Sequence, residues 1–148
     1  MADKSSIGAL LGSGTVDVEK GRLRFFAKAI GQDDPVYTDE AAARDAGHPT
    51  LPVPPTFLMC LSGEVSGDIN TRMKILQMDL GRILHAEQGF VYHRMAYAGD
   101  RLAFETRVSD VYDKKGGALH FVAMTTKVTN QDGEHVADLV GTLVERRG

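Results

Sequence analysis

The sequence predicts an α+β fold, with helices in the first half of the chain and antiparallel strands in the second. Apolar residues recur at helical spacing between Val18 and Ile30, whereas the chain beyond Arg82 is rich in β-branched and aromatic residues. Turn signals containing glycine divide this second half into strand-length segments. The three observations together favour an antiparallel meander with the helices packed on one of its faces.

Two helices are expected before residue 48. The first follows Asp17, which can serve as its N-cap, and it stops at Gly31, a typical residue after a helix end. The second, with the sequence DEAAARDAG, begins after Thr38 and ends at Gly47.

The third helix follows a proline-rich segment. Four of the five prolines lie in HPTLPVPPTF, which must be extended because each proline restricts its own backbone and that of the preceding residue. Pro54 or Pro55 can still open an apolar helix over TFLMCLSGEV. Residues 66–71 are then expected to form a loop. The side chains of this helix that we expect in the core are Phe57, Leu58, Met59, Cys60, Leu61 and Val65.

The second half supplies the strands. Leu102, Phe104, Thr106 and Val108 alternate with Arg101, Ala103, Glu105 and Arg107, which is the period of a half-buried strand. Four such segments are predicted, in the order ILHAEQGFVYHRMAY, RLAFETRVSDVYDK, ALHFVAMTTKVTNQ and EHVADLVGTLVERR.

The overall composition narrows the class of protein. A chain of 148 residues fits one domain spanning 1–148, and a formal net charge of −3 argues against a broad nucleic-acid surface. There is one cysteine, and we see neither a signal-peptide pattern nor an apolar run long enough to span a membrane. We therefore expect a cytoplasmic protein.

Four stretches in order resemble a known family. They are FAKAIGQDDPVY with the downstream AGHPTLPVPPTF, then LHAEQGFVYHR, then AYAGDRL, and finally TNQDGEHVADLVGTLVERR. The chain from Gly14 to Arg146 is similar to the N-terminal MaoC-like, or type I fatty-acid-synthase-like, dehydratase domain. The resemblance implies a hot-dog fold, in which a curved antiparallel sheet wraps a central helix, here the one opened by Pro54 and Pro55.

The resemblance also implies an activity and partners. Hot-dog domains pair as homodimers or heterodimers, and members of this family add water reversibly across 2-enoyl thioesters. The substrate would carry coenzyme A or acyl carrier protein, with no separate cofactor and no metal. In related hydratases the pattern G-D-x-N-P-hydrophobic-H provides the Asp and His that activate the water.

This chain departs from that pattern. Gln32 stands at the position of the Asp and Tyr37 at the position of the His, and neither is a good base near neutral pH. Asp33 and Asp34 are carboxylates in the same loop, although turn and capping roles before Pro35 explain them more simply. The chain is then either a substrate-binding subunit beside a catalytic hot-dog partner or an enzyme that uses other residues.

Those other residues are His85, Glu87 and Gln88, with Asp33 and Tyr37 as weaker candidates. On a regular strand His85 and Glu87 would share a face, with Gln88 on the opposite one, so that Glu87 could orient the imidazole. A structural histidine held by hydrogen bonds explains His85 equally well.

Binding residues are predicted separately. The start of the central helix, at Pro55, Thr56 and Phe57, would present free N–H groups to a thioester oxygen. His93 and Arg94 could contact an anionic carrier or form a surface pair, and His48 fits a turn. Two further functions remain open: a thioesterase, for which Glu64 is the nearest carboxylate, and a non-catalytic acyl-thioester-binding module.

Overall fold

A computed structural model describes residues 2–148 and contains one five-stranded antiparallel sheet with helices. The sheet order is β1-β3-β4-β5-β2, which leaves β1 and β2 as the edge strands. The α+β prediction is confirmed. The elements are β1 Leu10–Asp17, α1 Lys20–Ala29, α2 Glu40–Asp45, α3 Phe57–Val65, α4 Ile69–Leu76, β2 Ile83–Tyr92, β3 Arg101–Lys114, β4 Leu119–Thr129 and β5 His135–Arg146.

The predicted meander is correct for three strands only. β3, β4 and β5 follow one another in sequence and in the sheet, but β2 pairs with β5 and lies at the far edge from β1. Strand β1 was not expected, because LLGSGTVD has two glycines and a serine, which are poor strand formers. Its pairing partner β3 lies far along the chain, so no local pattern indicates it.

Residues 66–71 were predicted as a loop, but α4 begins within them. The side chain of Asp68 accepts a hydrogen bond from the backbone N–H of Thr71 and caps this helix. Met73 and Leu76 are buried on its inner side. This capping residue, followed by apolar residues at helical spacing, was the signal that could have identified α4 from the sequence.

The helix ends were predicted with mixed success. Asp17 does not cap α1: it is the last residue of β1, and its carboxylate pairs with the guanidinium of Arg101, with Oδ1 2.7 Å from Nε. The residue at the N-cap of α1 is Glu19, which makes no side-chain capping bond. Gly31 follows α1 with a φ of +71°, as a C-terminal stop requires. Asp39 caps α2 by accepting hydrogen bonds from two backbone N–H groups.

Helix α3 lies at the centre of the main hydrophobic core. Leu58 and Leu61 are fully buried, and Phe57 is 5% exposed. Val65 packs against the same cluster from its edge. Met59 and Cys60, which we expected in the core, are exposed, because they lie on the side of α3 that faces away from this cluster. Within residues 2–148, no helix has the length and apolar character needed to cross a membrane.

Two glycines of β1 allow the end of α3 to approach the sheet closely. A Cβ atom at Gly12 would lie 2.6 Å from the carbonyl oxygen of Ser66, and one at Gly14 would lie 2.8 Å from Cβ of Val65. Both distances are shorter than a van der Waals contact. The two glycines therefore set how close the helix can come to β1.

Replacing Gly12 with alanine is expected to lower the free energy of unfolding by about 1–3 kcal/mol, because the new methyl group meets backbone that cannot simply rotate away. Denaturant unfolding measures the change. Gly21→Ala is the matched control: no atom lies within 4 Å of its Cβ position in α1, so it should stabilise the protein by roughly 0.4–1 kcal/mol. Equal stability of the two variants would contradict the proposed close approach.

Candidate functional site

A cavity of about 210 Å³ lies between helices α3 and α4 and the inner face of the sheet. The helices contribute Met59 and Ser62 from α3 and Arg72 from α4. The sheet contributes residues from β2, β3, β4 and β5. The cavity therefore adjoins the half of α3 that leads to its C-terminus.

A bulge in β2 decides which predicted residues face this cavity. His85 pairs with Leu143 and Glu87 pairs with Thr142, so that Ala86 is an extra residue in the strand. As a result His85 and Gln88 both line the cavity. The prediction that His85 and Glu87 share a face, with Gln88 opposite, was wrong because it assumed a regular strand.

The contacts of β5 support this orientation. A Cβ atom at Gly141 would lie 3.8 Å from Nε2 of His85 and 3.5 Å from Oε1 of Gln88, so both side chains lie over this glycine. The carboxylate of Glu87 accepts a hydrogen bond from the hydroxyl of Thr142 at 3.3 Å. Glu87 thus binds the sheet and does not orient the His85 imidazole.

The floor of the cavity contains a pair of buried hydroxyl groups. Thr106 of β3 and Thr126 of β4 face each other across the ladder with their Oγ1 atoms 2.8 Å apart. One hydroxyl must donate to the other, which leaves one hydroxyl hydrogen for a further acceptor. The floor can therefore donate a hydrogen bond to a ligand oxygen.

Arg72 is the cation of the cavity. Its Nε atom is buried without a hydrogen-bond partner, and the nearest polar contact of its guanidinium is the sulfur of Met124, 3.4 Å from NH2. Burial lowers the pKa of this guanidinium. Among residues 2–148 no carboxylate forms an ion pair with it.

A second group of residues, which includes the predicted Pro55, Thr56 and Tyr37, lies near the start of α3. The hydroxyl of Tyr92, at the end of β2, donates a hydrogen bond to the carbonyl oxygen of Pro55. Desolvation, together with the nearby Tyr37, raises the pKa of the Tyr92 hydroxyl to about 12. Tyr92 was missed by the sequence analysis because nothing in its strand pattern indicates that its hydroxyl is used.

At the start of α3, two backbone N–H groups donate no hydrogen bond to any acceptor in the described chain. Thr56 occupies the N-cap position but makes no side-chain capping bond, and its own N–H has no acceptor within residues 2–148. The N–H of Leu58 likewise has none, whereas that of Phe57 donates to the carbonyl of Pro54 at 2.9 Å. Such groups, at the positive end of the helix dipole, suit a partly negative oxygen.

The loop before Pro35 is held by its own side chains. Oε1 of Gln32 accepts a hydrogen bond from the N–H of Asp34 at 3.1 Å, and the carboxylate of Asp34 accepts one from Val36 at 3.0 Å. The predicted capping role is therefore confirmed for Asp34. Asp33 is exposed, and Tyr37 is half-buried. Gln32 thus stabilises its own loop through its amide oxygen.

His93 and Arg94 both have carboxylate partners. Arg94 pairs with Glu134 at 3.1 Å, and Asp138 accepts hydrogen bonds from Nε2 of His93 at 2.9 Å and of His135 at 2.8 Å. Burial alone would raise the pKa of Asp138, but these two hydrogen bonds outweigh it and hold the pKa below its ordinary value. The predicted contact of His93 and Arg94 with a carrier stays a prediction.

Within residues 2–148, His93, His135 and Asp138 form the group that could hold a metal ion. One ligand atom of each of His93, His135 and Asp138 lies within 4.8 Å of the others. Two imidazoles and a carboxylate are suitable ligands for zinc and similar ions. The hydrogen bonds already satisfy the carboxylate, however, and account for the geometry without a metal.

Glu64, the carboxylate considered for a thioesterase, is engaged elsewhere. It pairs with the guanidinium of Arg22 on α1, and it does not line the cavity. His48 lies in a turn, with Nδ1 3.2 Å from the hydroxyl of Tyr97, as its predicted scaffolding role requires. Asp100 likewise accepts a hydrogen bond within its turn, from the N–H of Tyr97.

The two groups of candidate residues lie too far apart within one subunit to act on the same reacting atoms. Because Ala86 is bulged, Tyr92 lies six ladder positions from His85 along β2, a distance of roughly 20 Å at the ordinary strand rise. His85 and Gln88 line the cavity. Tyr37, Thr56 and Tyr92 lie near the start of α3.

Sequence comparison assigns the family. The family described as "FAS1-like, dehydratase domain region" matches residues 5–139. The chain belongs to this family of dehydratase domains. It is also similar to the UPF0336 protein of Saccharopolyspora erythraea, with 35% identity over 130 residues that cover 88% of this chain and 81% of the relative. The UPF0336 protein of Thermobifida fusca is 33% identical, with coverage of 88% and 84%.

Solved structures confirm the hot-dog fold. The HadBC (3R-hydroxyacyl-ACP dehydratase) complex of Mycobacterium tuberculosis matches with a TM-score of 0.79 and 28% identity, covering 96% of this chain and 99% of that one. The (R)-hydratase of A. caviae matches with a TM-score of 0.73 and 16% identity, covering 96% and 98%. The resemblance to MaoC-like dehydratases and the predicted fold class are therefore correct.

Proposed function

We propose that this chain is the substrate-binding subunit of a hydratase or dehydratase that acts on 2-enoyl and 3-hydroxyacyl thioesters of coenzyme A or acyl carrier protein. The observation that carries the proposal is the loop at residues 31–37. Gln32 and Tyr37 stand where the family has its water-activating Asp and His, and the Gln32 side chain is bound to its own loop. The chain keeps the fold and the binding surfaces but lacks the usual acid–base pair.

The start of α3 is the proposed binding site for the thioester. The carbonyl oxygen of the thioester would accept hydrogen bonds from the free N–H groups of Thr56 and Leu58. The helix dipole would strengthen these hydrogen bonds. The hydroxyl of Tyr92 would position this helix start through the carbonyl of Pro55. The acyl chain would then run along α3 towards the cavity.

A second hot-dog chain would supply the catalytic pair. β2 is a free edge of the sheet and exposes Leu84 and Val91, which are 58% and 51% accessible. An edge of this kind needs to be covered, and pairing with another β2 is the simplest solution. In an antiparallel pair the Tyr92 end of one strand lies near the Ile83 end of the other, so that two subunits contribute to each acyl-binding site.

The proposed partner is a heteromeric one, in keeping with the HadBC and ChsH1–ChsH2 complexes of M. tuberculosis among the structural neighbours. A homodimer would share the geometry but would lack the Asp and His in both subunits.

We expect the protein in the cytoplasm, since its single cysteine can form no intrachain disulfide.

A crotonyl-CoA assay tests the proposal. The purified chain alone should leave the enoyl absorbance almost unchanged, and it should hydrate the thioester when it is purified together with a hot-dog partner from its source organism. The partner alone is the control, with a rate below that of the complex. Rapid hydration by the isolated chain would overturn the proposal of a substrate-binding subunit, and release of free thiol would indicate a thioesterase instead.

A further inference from the structure

The cavity beside α3 is not built for a purely apolar chain. Arg72 lines it, with its guanidinium against the lining residue Met124, and Thr106 and Thr126 place a hydroxyl pair on its floor. His85 and Gln88 add an imidazole and an amide from β2. None of the residues that line the cavity is an aspartate or a glutamate.

The guanidinium of Arg72 lacks oxygen acceptors for its N–H donors within residues 2–148 of its own subunit. A guanidinium has five N–H donors, and here Nε has no acceptor while NH2 meets only a thioether sulfur. Desolvating part of an unpaired charge destabilises a protein, and a ligand with a complementary charge would remove this cost for the half-buried Arg72. Methionine or leucine would fill the same volume between α4 and β4 without this cost.

We propose that Arg72 binds a carboxylate at the distal end of the substrate's acyl chain, so that the subunit selects acyl thioesters with a terminal carboxyl group. The inference rests on the proposed function, because it needs the thioester to lie at the start of α3. A carboxylate matches the planar guanidinium in a bidentate pair, and its oxygens can also accept from the Thr106–Thr126 pair.

The length of α3 sets the length of the acyl chain. Nine residues of helix rise about 13 Å, so an extended chain of roughly ten carbons spans α3 from the thioester site to the side of the cavity formed by α4, where Arg72 lies. Shorter diacids would leave their carboxylate among the apolar side chains of α3. The inferred substrate class is therefore a medium-length acyl thioester that ends in a carboxylate.

Binding of two matched pantetheine thioesters tests the inference. Decanedioyl-pantetheine and decanoyl-pantetheine differ in the terminal carboxylate, share the arm of both carriers, and contain no phosphate. Isothermal titration with the complex of this chain and its hot-dog partner should show the diacid derivative binding at least about tenfold more tightly, as expected for charge-assisted hydrogen bonds. Arg72→Met should abolish this preference and leave the affinity for decanoyl-pantetheine within about twofold.

Two further variants serve as controls. Lys74→Met removes a positive charge from the exposed side of the same helix and should keep the preference. Arg72→Lys retains the charge without the fork geometry and should keep part of it. The melting temperature of Arg72→Met should equal or exceed that of the parent protein, since a half-buried guanidinium whose Nε has no partner has been removed.

The outcomes separate the inference from the proposed function. Equal affinity of the parent protein for the two thioesters overturns the inference but leaves the proposed function in place. A preference that survives in Arg72→Met also overturns the inference. So does a loss of affinity for coenzyme A in Arg72→Met that equals the loss for the diacid thioester, because it would assign Arg72 to the phosphates of the carrier. Failure to bind either thioester overturns both.

Discussion

Replacing Gln32 with aspartate and Tyr37 with histidine together is expected to raise the rate of crotonyl-CoA hydration by about 10²–10⁴-fold. This is the usual contribution of a positioned acid–base group. The half-buried Tyr37 lies near Tyr92 and the start of α3, where the thioester is proposed to bind. A histidine at this position would therefore lie beside the reacting atoms. Loss of enoyl absorbance gives the rate directly.

The single variants and one neighbouring residue provide the controls. Gln32→Asp and Tyr37→His should each recover only part of the rate, because the two groups act on one water molecule. Asp33→Asn, added to the double variant, should leave the recovered rate unchanged, since Asp33, a weaker catalytic candidate in the sequence, is exposed in the structure. No gain in a correctly folded double variant that still binds acyl thioester would refute the assignment of these two positions.

The largest loss of stability is expected for Phe57→Ala, which should lower the free energy of unfolding by about 3–5 kcal/mol. Phe57 is 5% exposed at the first residue of α3, and its ring centroid lies 4.8 Å from that of Phe26. The guanidinium carbon of Arg22 lies 5.5 Å from the same ring. Truncation therefore leaves a cavity at the junction of α1 and α3 and also removes a cation–π contact.

Urea unfolding at equilibrium measures this change. The matched control is Phe25→Ala on α1: its ring is 76% exposed, so the loss should be below about 0.5 kcal/mol. A loss below about 1 kcal/mol for Phe57→Ala would show that the α1–α3 junction can collapse around the missing ring, contrary to the close packing described above.

Local patterns were sufficient for the elements that have them. The alternation around Phe104 predicted β3, and the proline-rich segment predicted the start of α3, because each signal depends on neighbouring residues. β1 has no such signal, since its glycines at positions 12 and 14 serve the approach of α3, a requirement set by tertiary packing. The pairing of β2 with β5 is likewise a long-range contact that the order of the strands in the sequence does not indicate.

The candidate site was predictable in its chemistry but not in its geometry. The sequence identified His85 and Gln88, and it identified the departure at Gln32 and Tyr37. It could not place the bulge at Ala86, which turns Glu87 away from His85, because a bulge depends on pairing with the neighbouring strand. Arg72 was missed for a similar reason: residues 66–71 were predicted as a loop, no helix was predicted around Arg72, and the cavity that it lines forms only by tertiary packing.

The bulges of the two edge strands also bear on how the protein assembles during synthesis. One lies at Leu11 in β1 and the other at Ala86 in β2, so each free edge is interrupted. On β2 an added strand finds regular backbone only from Glu87 to Tyr92, about 17 Å in length. That is enough to join two sheets, but each interruption stops a third chain from extending the ladder. A newly made subunit that awaits its partner is thereby protected from fibril growth.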